Sequence, residues 1–152
     1  MNHKVFWNDE AYTAMRASGY LISEVEQEAF QGQITSQHEF QHYLRPAADK
    51  TLADTIRSLK LEDAQHPPLY YVLTHFWVRW FGASVSVIRS LSVIISLFVL
   101  PCFYWLCREL FKSSLAALFG TMLVAVSPIH VLYSQEARQY GLWTALTLLS
   151  SA

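Results

Sequence analysis

Three short clusters carry the side chains that could do chemistry. The first is Asp9-Glu10, directly after Phe6-Trp7-Asn8. An adjacent carboxylate pair beside aromatic rings can act as a general base or hold a cation. The same pair also fits the acidic first turn of a helix, where carboxylates oppose the positive end of the dipole. The second is His66-Pro67-Pro68-Leu69-Tyr70-Tyr71. The two prolines stiffen the backbone where polar chain gives way to apolar chain, and they equally suit a plain helix start. His66 at that boundary could bind a phosphate, donate a proton or coordinate a metal. The third is Tyr133-Ser134-Gln135-Glu136-Ala137-Arg138-Gln139-Tyr140, which lies between two apolar runs. Charge is expensive there and tends to be kept for function. Glu136 and Arg138 could simply pair, or Glu136 could face a metal or an acceptor while Arg138 faces a phosphate.

A fourth pattern points elsewhere. His38-Glu39-Phe40-Gln41-His42 matches H-E-x-x-H, which on a helix puts two imidazoles on one face with a glutamate able to activate a zinc-bound water. Glu62 offers a third ligand downstream. Gln33, Ser36, Gln37 and Gln41 crowd the motif and Pro46 closes it, so a solvated loop helix is the default and a membrane-associated zinc hydrolase the alternative.

The elements that must hold these clusters divide the chain in two. Of 23 Asp, Glu, Lys and Arg residues, 16 lie in residues 1–66, so one part is wet and the other apolar. The whole is 53% hydrophobic and 15% charged, against about 45–50% and 25% for a soluble domain. A net charge of −1 gives no basic surface for nucleic acid. Residues 90–107 hold 18 uncharged positions, roughly 27 Å of helix and close to a bilayer's hydrocarbon thickness. Residues 113–135 form a second uncharged run, and residues 139–152 a third that is otherwise apolar. The spacing predicts membrane helices at about 86–108, 114–131 and 140–152, with Arg108-Glu109-Leu110-Phe111-Lys112 as a short connection. Its cations suggest the cytoplasmic side, which places the 131–139 turn and the start of the first span outside.

Residues 67–84, rich in Tyr and Trp, hold only 11 uncharged positions from Pro68 to Val78 before Arg79, too few to span comfortably. They predict a helix lying in the interface or entering the membrane. Residues 1–66 predict a polar loop with short amphipathic helices. Asn8 is placed to cap one, and Thr51-Leu52-Ala53-Asp54 fits a capping box for another whose apolar face is Leu52, Ile56 and Leu59. Cys102 and Cys107 are expected to be buried thiols. Residues 1–10 lack the apolar core of a secretory signal.

The order Asn8-Asp9-Glu10, His66-Pro67-Pro68-Leu69-Tyr70-Tyr71, Ile88-Arg89-Ser90-Leu91, Arg108-Glu109-Leu110-Phe111, Ser127-Pro128 and Tyr133 to Tyr140 resembles glycosyltransferase family 39. The closer likeness is to bacterial relatives of the dolichyl-phosphate-mannose protein mannosyltransferases, including the rhizobial lipopolysaccharide glycosyltransferases. It covers nearly the whole chain. The resemblance implies an all-α membrane protein: a polytopic helical bundle of the C-type glycosyltransferase fold, with a helical extracytoplasmic loop, in the bacterial inner membrane. It implies a hexosyl or pentosyl transferase taking sugar from a polyprenyl-phosphate donor to an acceptor hydroxyl on a lipid, glycan or protein, with inversion. Asp9 would be the base and Glu10 its support. His66, Arg89, Arg138 and Tyr140 would serve the substrate and its phosphate, and Glu136 a divalent cation if one is used. Family members carry a membrane helix before the acidic pair and several after the third run, so an amino-terminal fragment without activity of its own is expected. A non-catalytic helical membrane protein is the remaining alternative.

Overall fold

The computed structural model describes residues 6–29, 41–47 and 50–152. The described residues form α-helices and no strand: α1 Asn8–Ala17, α2 Ile22–Ala29, α3 Leu52–Glu62, α4 Leu69–Phe81, α5 Val85–Phe111, α6 Ser114–Ala125, α7 Pro128–Ser134 and α8 Tyr140–Ser151. The chain divides into two compact units, Met1–Ile88 and Arg89–Ala152. The boundary between these units falls inside α5; α4 packs on α1 and α3, and the Trp77 indole N–H donates to the Val87 carbonyl at 3.0 Å.

In the first unit, α1 is an alanine-rich helix with Asp9 and Glu10 in its first turn and Arg16 in its last. Asn8 does not cap it. Trp7 takes the cap position, and its backbone N–H donates to the Glu10 carboxylate at 3.2 Å. The helix ends on Gly19 at φ +88°, a left-handed position that glycine adopts without a Cβ clash. The Tyr20 N–H reaches back to the Met15 carbonyl and the Gly19 N–H to the Arg16 carbonyl, which satisfies two end carbonyls of the helix. The expected cap of α3 is present: Asp54 accepts from the Thr51 N–H and hydroxyl, both at 2.8 Å. These bonds, with the Thr51 backbone bond foremost, hold the Asp54 carboxyl below its ordinary pKa.

The buried face of α3 departs from the apolar pattern. Thr55, Ser58 and Leu59 are buried while Ile56 is exposed. The reason is a polar junction of three helices. The Ala17 carbonyl at the end of α1 accepts from the Thr55 hydroxyl at 3.1 Å and lies 2.9 Å from His75 Nδ1. A buried carbonyl needs a donor, and α3 and α4 each supply one.

In the second unit, α5 continues through the expected connection to Phe111. The turn is left to Lys112, at φ +49°, and to Ser113, whose side chain accepts from the Ala116 N–H and starts α6. Only α5 is long and apolar enough to cross a membrane as a single helix among the described residues. The expected second span is broken: α6 and α7 meet the same test together but are bent by 59°. Pro128 at the start of α7 has no N–H to give the preceding turn and drives Ser127 to extended backbone (ψ 124°). The first part of the turn placed at 131–139 is consequently helix α7, which ends at Ser134. Cys107 is buried, and both cysteines are free.

Helix α8 approaches α5 through small residues. A Cβ added at Gly141 would stand 2.7 Å from Ser96 Oγ and 3.7 Å from the Ser96 Cα, a closeness that small residues permit between apolar helices. Gly141→Ala should lower stability by about 1–3 kcal/mol, the usual cost of overpacking. The check is the thermal midpoint of the detergent-solubilised protein, and an unchanged midpoint would mean that the α5–α8 contact yields freely.

Candidate functional site

The first unit presents its acidic pair in two different settings. Asp9 is exposed, whereas Glu10 is 1% exposed and bound to the Trp7 N–H. One carboxylate therefore lies at the surface and its neighbour holds the helix start. The side chain of Thr13 bonds the Asp9 carbonyl at 2.8 Å, one turn along.

His66 Nδ1 lies 2.5 Å from Asp63 Oδ1, and Asp63 Oδ2 accepts from the Arg16 guanidinium at 2.7 Å. Asp9 and Arg16 are seven positions apart on α1, roughly 10 Å along its axis. Burial pushes the Asp63 carboxyl up, but the His66 hydrogen bond and the Arg16 charge outweigh it and hold the group below its ordinary value. His66 also lies edge-on to Tyr71, with ring centroids 6.4 Å apart. The cluster fixes the loop between α3 and α4 to the end of α1. Arg16 and Asp63 were not singled out from sequence, although an Asp three residues before a His is a legible pairing signal.

Glu62, offered as a third zinc ligand, is committed elsewhere. Its carboxylate accepts from the backbone N–H groups of Ile22 and Ser23 at 2.8 and 3.0 Å and from the Ser23 hydroxyl at 2.8 Å, which caps α2. Burial acts against its ionised form, but these bonds prevail and lower its pKa. His38 and Glu39 lie outside the described residues. His42 packs edge-on to Tyr43 at 5.5 Å and tilted against Tyr20 at 6.3 Å. Among the described residues no three His, Cys, Asp or Glu side chains group around one point.

The second unit brings together the aromatic and cationic residues of the third cluster. The Arg138 guanidinium lies over the Tyr140 ring at 5.6 Å, and Tyr140 meets Tyr133 edge-on at 5.1 Å. The backbone turns tightly here, with the Arg138 N–H on the Glu136 carbonyl at 2.8 Å. Both tyrosines line a cavity of about 500 Å³, with Ser127, His130, Ser134 and Thr144 adding polar groups to an otherwise apolar wall. That size suits a small ligand. Next to it in sequence, Gln139 is 1% exposed, and its Oε1 meets no donor among the described residues. Such a group is costly until a hydroxyl or amide reaches it. Arg89, at the start of this unit, is also 1% exposed. Sequence reasoning passed over His130 and Gln139, yet His130 is a polar residue inside an uncharged run, and that contrast is the available signal. Comparison with protein-family models, curated proteins and solved structures finds no match to the chain.

Proposed function

We propose that this chain is part of an inverting, polyprenyl-phosphate-dependent glycosyltransferase of the inner membrane, acting on the extracytoplasmic side. Arg89 carries the reading. It is a buried guanidinium in the second turn of a 27-residue apolar helix. An arginine there is expensive and marks a place where an anion is handled. Support comes also from the exposed Asp9 beside its buried neighbour, and from Arg138 and Tyr140 next to a hydroxyl-lined cavity.

In this reading α5, the bent pair α6–α7 and α8 lie in the bilayer. Their exposed Leu97, Phe98, Trp105, Leu118, Phe119 and Leu123 form apolar surface beyond what water tolerates. The Asp9 carboxylate accepts the proton of the acceptor hydroxyl as its oxygen attacks the anomeric carbon. The bond from that carbon to the phosphate oxygen breaks, and polyprenyl phosphate leaves with the electron pair. Attack from the face opposite the leaving group inverts the centre. In the second unit, Arg89 and Arg138 are cations of the kind that offsets charge growing on a departing phosphate.

The test is a transfer assay. Membranes carrying the complete protein are given polyprenyl phosphates bearing a tritiated hexose or pentose. Label should move to an acceptor with inverted anomeric configuration, and should stay on the lipid in membranes from cells lacking the gene. Label confined to the lipid in both preparations would end the proposal.

A further inference from the structure

Helix α4 has two faces of opposite character. Tyr70, Tyr71, Thr74, His75 and Val78 are buried in the first unit. Leu69, Leu73, Phe76 and Trp80 recur at i, i+4, i+7 and i+11 and are exposed, Trp80 by 73%, so they make one continuous apolar stripe. Three residues after α4 the membrane-length helix α5 begins.

At the carboxyl end of α4, a cavity of about 550 Å³ is lined by Arg45, Pro46, Ala47, Val78, Arg79, Gly82 and Ala83. Among the described residues its lining has two arginines and no carboxylate. Among the described residues neither arginine has an ion-pair partner. Arg45 is placed by the segment at residues 41–47, which is tied to the end of α1 where the Ser18 hydroxyl donates to the Leu44 carbonyl at 3.0 Å. Gly82 turns the chain at φ +93°, and a Cβ there would meet no atom within 4 Å, so the backbone leaves room beside the two cations.

We infer that Arg45 and Arg79 form a headgroup site for an anionic phospholipid, with the Leu69–Leu73–Phe76–Trp80 stripe lying in the adjoining interface. Two guanidiniums attract a phosphodiester whose headgroup carries no compensating cation, and an amphipathic helix with Trp at its exposed face suits the membrane–water boundary. The continuity of α4 with a membrane-length helix argues for lipid as the occupant. The inference is independent of the transferase chemistry.

The experiment is a titration of the full chain in detergent with short-chain phosphatidylglycerol, phosphatidylcholine and inorganic phosphate. Phosphatidylglycerol should bind, and the double variant Arg45→Gln/Arg79→Gln should bind it about 30-fold more weakly. Arg45→Lys/Arg79→Lys should recover most of the affinity. Circular dichroism of the variants should match that of the parent, since both side chains are at the surface. Equal binding of phosphatidylcholine, full competition by inorganic phosphate, or undiminished phosphatidylglycerol binding by the glutamine variant would each overturn the site. In bilayers, a spin label at position 76 should be accessible to oxygen and shielded from a water-soluble nickel complex. A label open to nickel, or shielded from both as under a protein partner, would overturn the placement of the stripe.

Discussion

Asp9→Asn should lower sugar transfer by about 10²–10⁴-fold, the range a positioned general base supplies. The substitution keeps the size and some hydrogen-bonding capacity of the side chain but removes the proton acceptor. Through the dipole of α1 alone, losing the charge of this surface carboxylate costs about 0.3–1 kcal/mol. The loss should fall on kcat with KM little changed, because the base acts mainly as the bond to the phosphate breaks. Glu10→Gln makes an informative contrast. It changes a buried group bound to the Trp7 N–H, and its effect should show first in thermal stability. The measurement is the initial rate of label transfer by each variant in membranes, at matched protein levels. Turnover by Asp9→Asn equal to the parent's would remove the proposed base.

The second large effect concerns stability. Asp63→Asn should destabilise the protein by about 3 kcal/mol, the lower part of the range for removing one partner of a buried pair. Asp63 and Arg16 have side chains only 7% and 13% exposed, so the substitution leaves Arg16 with its charge largely out of water and its best acceptor gone. His66 loses the same carboxylate. The pH dependence has a definite sign. The folded-state pKa of Asp63 lies below the ordinary value of 3.8. Its contribution is therefore complete above that ordinary value and disappears as pH falls through the lower, folded one. Urea unfolding followed by tryptophan fluorescence should show a large gap between parent and variant at about pH 7 that narrows below about pH 3. A gap of the same size at both would place the effect outside this carboxylate's ionisation.

The distribution of charge along the chain was enough to place the helices that end in strong local signals. Proline and glycine set both ends of α4, Thr51 and Asp54 set the start of α3, and 18 uncharged residues announced α5. These features depend on neighbours within one or two turns, so a linear reading reaches them. The candidate residues stood out in the same sense: Arg89 and Arg138 because charge near apolar chain is rare, and Asp9 and Glu10 as an adjacent carboxylate pair. Their settings did not. Which of two adjacent carboxylates is buried follows from how α1 lies on its neighbours. That His66 belongs with Asp63 and Arg16 is a matter of two segments meeting, Arg16 and Asp63 being 47 positions apart. Thr55 took a place on the buried face of α3, with Ile56 exposed, because the Ala17 carbonyl required a donor. Hydrogen-bond demand made by one helix on another leaves no periodic trace in the helix that answers it, and for that reason packing settled it.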